Sequence, residues 1–370
     1  MFNPKAMPFV LPPSYLLTAA FAISFIITFY GIPSVVKIAR IKNLYDIPGI
    51  RTSHIVPIPR LGGAMVFAGV ILSSVLFTGM EKAFELKYII AGLLILFFIG
   101  LKDDIITLQP YKKAIGQFIA SIIIVFFGGI RIAFNYPEEN VIDFNFLLSL
   151  IISIAIFLTL INSMNFIDGI DGLAAGVGII SSVSFGTWFI LNGQISFAVI
   201  CFALTGSLIA FLWYNVFSSD FKIFLGDTGS MVIGFLLAVF LIRFLELNLN
   251  GPVMQTTDVA PSLALAILIV PVFDIFRIVF VRIIHRKSPF SADNNHIHHQ
   301  VLQLAGSHAK ATSSILLVNL LLIILVLMLR SLGNGILIPF LLLVSISLSF
   351  LLTFLKRTEK RSETNRKSGK

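Results

Sequence analysis

The sequence predicts an all-α protein that crosses a membrane many times. Of its residues, 57% are hydrophobic and 12% are charged, and the mean hydropathy is +0.97. Apolar segments of about 20 residues, the length of helix that crosses a bilayer, recur from one end of the chain to the other. The sequence does not show the alternation of apolar and polar residues that marks the strands of a membrane β-barrel.

We predict about eleven spans in this polytopic integral membrane protein. The segments are residues 14–36, 62–80, 88–101, 114–134, 146–161, 173–191, 196–213, 229–245, 261–284, 312–329 and 335–355. The first is as long as a full span and lacks a small-residue cleavage site, so we expect a retained helix rather than a signal peptide. We expect residues 1–355 to form a single transmembrane domain and the basic residues 356–370 to form a disordered tail.

Basic residues indicate the orientation of the chain, because Lys and Arg are enriched in cytoplasmic loops. With the amino terminus outside, about 21 of the 27 basic residues lie in the inside loops and the tail. We therefore predict an external amino terminus and a cytoplasmic carboxyl terminus. The net charge of +9 is then a topology signal with attraction to anionic lipid, and it does not indicate nucleic-acid binding. The single cysteine, Cys201, excludes a disulfide framework and a thiolate metal site.

A polar stretch between two apolar segments is the main functional signal. Its four polar side chains recur at a spacing of three residues, and they are Asn162, Asn165, Asp168 and Asp171. An unbroken helix would rotate them by about half a turn, so Gly169 and Gly172 suggest that the backbone opens here. Because an Asp in lipid costs roughly 2.5–3.5 kcal/mol, we expect an oxygen-rich pocket for a cation or polar ligand. The alternative is a polar turn with Asn and Asp as helix caps.

Two further carboxylate clusters end or begin apolar segments. Asp103 and Asp104 repel each other, which suits a general base beside a metal-bound phosphate, or else an ordinary charged helix end. Lys113 follows and could neutralise a phosphate or serve only as a cytoplasmic basic residue. Asp227 lies in a small-residue turn before a span; with an oxygen of the polar stretch it could hold Mg²⁺, or it could cap the next helix.

The last inside loop contains three histidines, His296, His298 and His299. Zinc ligation is one interpretation, but imidazoles that donate to phosphate or sugar oxygens fit better, and a solvated polar loop is the alternative. In the first inside loop, Arg60 follows two prolines and precedes two glycines, where its guanidinium can form a bidentate phosphate contact.

Taken together, the motifs resemble the polyprenyl-phosphate N-acetylhexosamine-1-phosphate transferases. The resemblance covers residues 15–355 in the same motif order. The motifs are Pro-Arg-Leu-Gly-Gly, Lys-Asp-Asp, Asn-Ser-Met-Asn-Phe-Ile-Asp-Gly-Ile-Asp-Gly, Phe-Leu-Gly-Asp-Thr-Gly-Ser and His-Ile-His-His. The histidine run, interrupted by Ile297 and preceded by Ser-Pro-Phe at 288–290, is similar to the undecaprenyl-phosphate N-acetylglucosamine branch rather than to the phospho-N-acetylmuramoyl-pentapeptide branch.

The resemblance implies a cytoplasm-facing site in a bacterial plasma membrane. There undecaprenyl phosphate would attack a UDP-N-acetylhexosamine, with Mg²⁺ or Mn²⁺ as cofactor, membrane lipid around the protein and a homodimer as a candidate assembly. The product would begin an envelope polymer such as O-antigen or teichoic acid. Other UDP-N-acetylhexosamines, and UDP-N-acetylmuramoyl-pentapeptide, are alternative donors.

The resemblance also implies roles for individual residues. Asp227 and Asn165 would be metal ligands, and Asp103 or Asp104 the base or phosphate-positioning carboxylate. Asp171 would contact uracil, with Phe224 stacking on the ring. Asp168 would lie in the nucleotide pocket and count with Asp103 and Asp104 among the catalytic carboxylates. The remaining predicted substrate-binding residues are Asn162, Lys113, Arg60, His296, His298 and His299.

Two other classes of protein are less consistent with the sequence. An intramembrane aspartyl protease would have Gly-x-Gly-Asp, and Phe224 occupies the first glycine position. A secondary transporter would place polar residues near the bilayer midplane on broken helices in repeated halves. The polar clusters of this chain instead lie at the ends of the apolar segments.

Overall fold

The structure is a computed structural model, and it describes residues 12–45, 57–79, 83–132, 144–250, 256–284 and 296–368. Its helices are α1 (Pro13–Ile41), α2 (Gly62–Phe77), α3 (Ala83–Ile105), α4 (Pro110–Ile122), α5 (Phe144–Ile167), α6 (Leu173–Leu191), α7 (Ile195–Leu212), α8 (Gly226–Asn250), α9 (Ala260–Ile267), α10 (Ile269–Ile284), α11 (Ile297–Ala305), α12 (His308–Met328) and α13 (Asn334–Ser368). Short π-helical turns, Ile123–Phe127 and Trp213–Phe217, extend α4 and α7. The all-α prediction is confirmed.

Every predicted apolar segment corresponds to a helix or to a pair of helices. Nine described helices are long and apolar enough to cross a membrane, and the bent pair α9 and α10 makes ten. The remaining segment, α2, has 16 residues and so a length of about 24 Å, which is shorter than a bilayer core. The polytopic prediction is confirmed, while the orientation of the termini stays a prediction.

Helix α8 is the central element of the bundle. It packs against α3 and α5, and also against α2 and α6. Its middle portion is buried on all sides, as shown by Leu236, Val239 and Phe240, which are inaccessible to solvent. The first turn of α8 therefore lies in the middle of one end of the bundle, where the loops that carry the predicted motifs can surround it.

The loop before α2 is joined directly to the loop before α8. The amides of Gly62 and Gly63 donate to the carbonyl oxygens of Phe224 and Leu225 at 2.9 and 2.8 Å. A methyl group on Gly63 would lie 2.1 Å from the nitrogen of Gly229. Backbones can approach this closely only where one residue has no side chain, which is a physical reason for the paired glycines of the Pro-Arg-Leu-Gly-Gly motif.

The predicted span 261–284 is two helices rather than one, with a bend of 78° between α9 and α10. Pro271 explains the break, because a proline ring clashes with the carbonyl four residues earlier, here that of Ile267. The side-chain amide of Asn319 on α12 donates to the carbonyl oxygen of Ala266 at 2.8 Å, beside the break. The same amide lies 3.5 Å from the freed carbonyl oxygen of Ile267, so a neighbouring helix supplies a donor at the break.

Two other segments differ from the sequence-based expectation. Helix α13 continues to Ser368, so the basic segment that we predicted to be disordered is helical in this structure. Lys, Arg and Glu are good helix formers, which favours continuation of the preceding span. The histidine segment, which we expected to be a loop, forms the short helix α11 directly after His296.

Candidate active site

The first turn of α8 is capped by a carboxylate from another helix. Asp104, near the end of α3, accepts the amide hydrogens of Asp227 and Thr228 at 2.7 and 3.0 Å, and also the Thr228 hydroxyl at 2.6 Å. Gly226 has φ = +74°, and a methyl group there would lie 2.1 Å from the carbonyl oxygen of Arg60. A negative group at a helix amino terminus is favourable, so Asp104 fixes α8 against α3.

Asp227 lies at the meeting point of four helices. The Lys113 ammonium, from α4, contacts the Asp227 carboxylate and lies 3.4 Å from Asp103 on α3. The Asn165 side-chain amide, from α5, donates to Asp227 and also to the Ser230 hydroxyl at 2.9 Å. The structure therefore brings Asp103, Lys113, Asn165 and Asp227 together, as predicted, and it separates the roles of the adjacent pair: Asp104 caps α8, whereas Asp103 faces Lys113.

The polar stretch opens where the sequence predicts. Helix α5 ends at Ile167, and residues 168–172 form a turn that closes with Gly172 at φ = +77°. The Gly172 amide donates to the side-chain oxygen of Asn215 at 2.7 Å. Asp168 and Asp171 therefore lie in this turn, after the end of α5.

Asp171 has contacts from three residues that sequence reasoning did not single out for the site. Lys222 Nζ lies 2.6 Å from the Asp171 carboxylate. The backbone amide of Asp171 donates to His308 Nδ1 at 3.1 Å. Thr312 donates to its carbonyl oxygen at 2.7 Å. These partners are 51 to 141 residues away in the chain, and the sequence carries no signal of such pairings.

Asp168 is the carboxylate of the site that lacks a hydrogen-bond partner among the described residues. Burial raises the pKa of Asp168 well above its usual range, and the nearby Asp227 and Asp104 carboxylates raise it further. The Arg60 guanidinium acts in the opposite direction. A cation bound nearby would act against these effects and favour the charged form of Asp168.

The histidine segment packs against the same turn. The three imidazole rings lie 4.3 to 6.5 Å apart between centroids. A methyl group on Gly169 would lie 2.4 Å from Nε2 of His298, so this ring touches the backbone of the Asp-bearing turn. Burial lowers the pKa of His298 to about 3, and burial also lowers the pKa of His299. His298 is accordingly neutral at pH 7.

Asp274, on α10, holds this histidine segment and was not identified from the sequence. Its carboxylate lies 2.8 Å from Nδ1 of His296 and accepts the Ile297 amide at 2.9 Å. The signal was present, because Asp274 is a lone carboxylate within a predicted apolar span, and ionisable residues there usually have a functional role.

Three predicted residues lie differently or more peripherally than expected. Asn162 exchanges hydrogen bonds with Gln117, the shorter one at 2.9 Å, and it lies about one helical turn before Asn165, the residue that contacts Asp227. Phe224 and Arg60 join the site through their backbone groups at the start of α8. The segment 46–56 and the Ser-Pro-Phe and Asp293 positions lie outside the described residues.

The charges of the site do not balance. Its five carboxylates are Asp103, Asp104, Asp168, Asp171 and Asp227, and its three basic side chains are Arg60, Lys113 and Lys222. Carboxylate and amide oxygens are the ligands that Mg²⁺ prefers. Asp227, Asp103 and Asn165 are the residues suited to hold such an ion, and the surplus of negative charge fits it. The arrangement can bind phosphates through a cation and through the basic side chains.

Comparison with known proteins agrees with this chemistry. Residues 86–245 match glycosyl transferase family 4. The decaprenyl-phosphate N-acetylglucosaminephosphotransferase of Mycobacterium leprae is 32% identical over 322 residues, which cover 80% of this chain and 77% of that protein. The undecaprenyl-phosphate alpha-N-acetylglucosaminyl 1-phosphate transferase of Escherichia coli K12 is 30% identical over 282 residues, covering 74% and 73%. The chain therefore belongs to the polyprenyl-phosphate N-acetylhexosamine-1-phosphate transferase family, and it is a membrane-bound sugar-phosphate transferase.

Proposed function

We propose that this chain transfers N-acetylglucosamine 1-phosphate from UDP-N-acetylglucosamine to undecaprenyl phosphate. An oxygen of the lipid phosphate attacks the phosphorus that carries the sugar. The bond from this phosphorus to the oxygen bridging the two donor phosphates breaks, and UMP leaves with that oxygen. The products are undecaprenyl-diphosphate-N-acetylglucosamine and UMP. The observation that carries the proposal is the surplus of carboxylates around Asp227, because two phosphate-bearing substrates can enter such a site only together with a cation.

The proposed cation is Mg²⁺, or Mn²⁺ in its place, held by Asp227, Asn165 and Asp103. When bound, it would neutralise charge on the phosphates of the donor, which is the main source of catalysis in phosphoryl transfer. Lys113 already lies between Asp103 and Asp227, so its ammonium can pass from these carboxylates to a phosphate oxygen. Arg60, beside Asp168, supplies a second positive charge.

Asp171 is proposed to bind the uracil end of the donor, with the Phe224 ring against the base. Lys222 and His308 hold the Asp171 carboxylate and backbone in place, which supports a binding role over an acid–base role. His296, His298 and His299 are proposed to lie along the phosphates and the sugar. The contact of His298 and His299 with Gly169 supports this placement, because Gly169 adjoins Asp168 in the same turn.

An apolar cavity of about 230 Å³ supports a lipid substrate. It lies between α10, α12 and α13, and its lining includes Ile167 and His298, which adjoin the carboxylate turn. Most of its remaining lining is aliphatic or aromatic, as with Phe273, Val318 and Leu352. We propose that the isoprenoid units nearest the phosphate occupy this cavity while the phosphate reaches the turn.

The reaction is tested with membranes that contain this chain and with purified protein. UMP release from UDP-N-acetylglucosamine should require added undecaprenyl phosphate and a divalent cation. UDP-N-acetylgalactosamine and UDP-N-acetylmuramoyl-pentapeptide serve as competing donors. If only UDP-N-acetylmuramoyl-pentapeptide is turned over, the proposed donor is refuted and the proposed type of reaction is supported. Uptake of a solute without UMP release would refute both the donor and the reaction.

The proposed location is the bacterial plasma membrane, with the site on the cytoplasmic side. A reporter fused after Lys370 should be cytoplasmic and one fused before Phe2 should be external, since basic residues accumulate in the loops on the site's side. Fusions that place both ends on one side would show that α2, the shortest of the apolar helices, does not cross.

A further inference from the structure

Asp274 is a buried carboxylate in an apolar setting. It lies near the start of α10, just after the bend, and only 2% of its surface is exposed. A buried charge is tolerated when hydrogen bonds and opposite charges compensate it. Each Asp274 oxygen has one hydrogen bond: Oδ2 pairs with Nδ1 of His296 at 2.8 Å, and Oδ1 accepts the Ile297 amide at 2.9 Å. Nδ1 of His298 lies farther from Oδ2, at 3.8 Å. Both oxygens are thus committed to the first residues of the histidine segment.

The pairing determines how His296 presents itself to the site. A carboxylate at Nδ1 keeps a proton on that nitrogen, so Nε2 is the nitrogen that remains for another partner. Nε2 of His296 has no hydrogen bond with the described residues. The ring is further held by Phe166, at 5.5 Å between centroids, and by His298, at 5.3 Å. One side of the imidazole is therefore anchored, and the other is available.

We propose that Asp274 is a positioning residue, which fixes the orientation and tautomer of His296 so that the lone pair of its Nε2 accepts a hydrogen bond from a hydroxyl or N–H group of the donor's sugar. The identity of this ligand rests on the proposed function, whereas the hydrogen bond between Asp274 and His296 is independent of it. An outer carboxylate that orients a histidine in this way typically affects activity by about 10–100-fold.

The same residues could instead be considered as a metal site. Asp274, His296 and His298 each place one ligand atom within 4.8 Å of the others. However, Oδ1 of Asp274 already accepts the Ile297 amide, and Oδ2 already faces Nδ1 of His296. A hydrogen bond between Asp274 and His296 accounts for these positions. Metal analysis of the purified protein distinguishes this hydrogen bond from a metal site. Stoichiometric zinc or another transition metal that disappears in Asp274→Asn would overturn the positioning role.

Asp274→Asn is the informative variant, because an amide offers one acceptor oxygen where the carboxylate offers two. If that oxygen keeps the Ile297 amide, the NH₂ group faces Nδ1 of His296 and moves the ring proton to Nε2. Nitrogen-15 spectra of histidine-labelled protein should show this change of tautomer, with His296→Gln used to assign the signal among the six histidines. An unchanged His296 tautomer in Asp274→Asn would overturn the proposal, whatever reaction the enzyme performs.

Kinetics then connect the pairing to turnover. Asp274→Asn should lower kcat roughly 10–100-fold, while KM for the donor changes less than about threefold. If Asp274 acts through His296, the double variant with Asp274→Asn and His296→Gln should have the same kcat as His296→Gln alone. Losses that multiply in the double variant would overturn the proposal.

A matched control makes the same chemical change elsewhere. Glu246→Gln replaces a largely buried carboxylate by an amide at the opposite end of the bundle, and it should leave kcat per folded molecule unchanged. A similar fall in kcat for both variants would show a general loss of structure and overturn the specific role. Failure of the wild-type protein to release UMP would instead refute the proposed function, and the nitrogen-15 result would still stand.

Discussion

Helices α3 and α8 run antiparallel and carry a cluster of charges at each end of their contact. At one end, Asp103 and Asp104 of α3 meet Asp227 of α8. At the other end, Glu85 of α3 meets Arg243 of α8, which also pairs with Glu246 at 2.6 Å. The two clusters lie on the same helices and are buried to a similar extent. A difference between them in charge balance therefore indicates why one cluster can serve as a binding site.

The far cluster, formed by Glu85, Arg243 and Glu246, is balanced within the protein once Arg131 is counted. Arg243 lies between the two glutamates, and its guanidinium carbon is 5.2 Å from the centroid of the Phe197 ring. Arg131 adds a second positive charge that acts on Glu246. The site cluster has carboxylates in surplus instead. Charges that are balanced within the protein hold helices together, whereas an unbalanced buried set needs partners that arrive from outside. The comparison predicts that changes at the far cluster affect stability and that changes at the site affect turnover.

Asp227→Asn should give the largest loss of activity. The amide keeps the size of the side chain but removes the charge that would hold a cation against the donor phosphates, so kcat should fall roughly 10²–10³-fold or more. Thermal stability should fall only modestly, because Lys113 loses Asp227 as a charged partner but keeps Asp103. UMP release and melting in detergent measure the two effects. A near-normal kcat would remove Asp227 from the proposed metal site and favour Asp103.

Arg243→Met tests the other half of the comparison. It keeps the length of the side chain but leaves Glu85 and Glu246 without their shared partner. Because these side chains are only 12–25% exposed, the free energy of unfolding should fall by about 2–4 kcal/mol. Chemical unfolding measures that loss. UMP release per folded molecule should stay within about twofold of wild type, and a specific rise in KM would contradict a purely structural role.

The adjacent aspartates should separate when each is changed to asparagine. Asp104→Asn weakens three hydrogen bonds at the start of α8, so it should cost about 1–2 kcal/mol of stability as well as activity. Asp103→Asn should lower activity with little change in melting temperature, since Asp103 faces Lys113 rather than capping a helix. A loss of stability in Asp103→Asn and not in Asp104→Asn would show that Asp103, rather than Asp104, caps α8.

Asp171→Ala should have the smallest effect among the site carboxylates. Asp171 already has Lys222 as its own cation, so it resembles the far cluster more than it resembles Asp227. Loss of a uracil contact should raise KM for the donor by roughly tenfold, with a smaller loss in kcat. Steady-state kinetics with varied donor decide this. A fall in kcat as large as that of Asp227→Asn would place Asp171 at the reacting phosphates.

The sequence predicts those parts of the site that depend on local patterns. Apolar length located the helices, Gly169 and Gly172 located the opening after α5, and an aspartate before an apolar segment located Asp227. Each of these signals lies within a few residues. Pro271 also carried a local signal for the bend, which the continuous hydrophobicity of its segment obscured.

The remaining features depend on which helices become neighbours. Asp103 and Asp104 are identical as residue types, and only the position of α8 assigns the cap to one of them. The pairing of Asp171 with Lys222 and His308 likewise joins distant parts of the chain. Local pattern cannot distinguish such pairs, because tertiary packing brings them together.

The bend between α9 and α10 has a consequence for the kinetics of the enzyme. Beyond it, α10 buries Asp274 and Ile278 while Phe276 and Phe280 stay more than 60% exposed, so an apolar face of this helix meets the surrounding lipid beside the site. A lipid acceptor that enters here is counted by its mole fraction in the membrane plane, whereas the nucleotide is counted by its concentration in water. Adding inert phospholipid or detergent at constant total acceptor should therefore slow the reaction by surface dilution, even though no reactant has become scarcer in the tube.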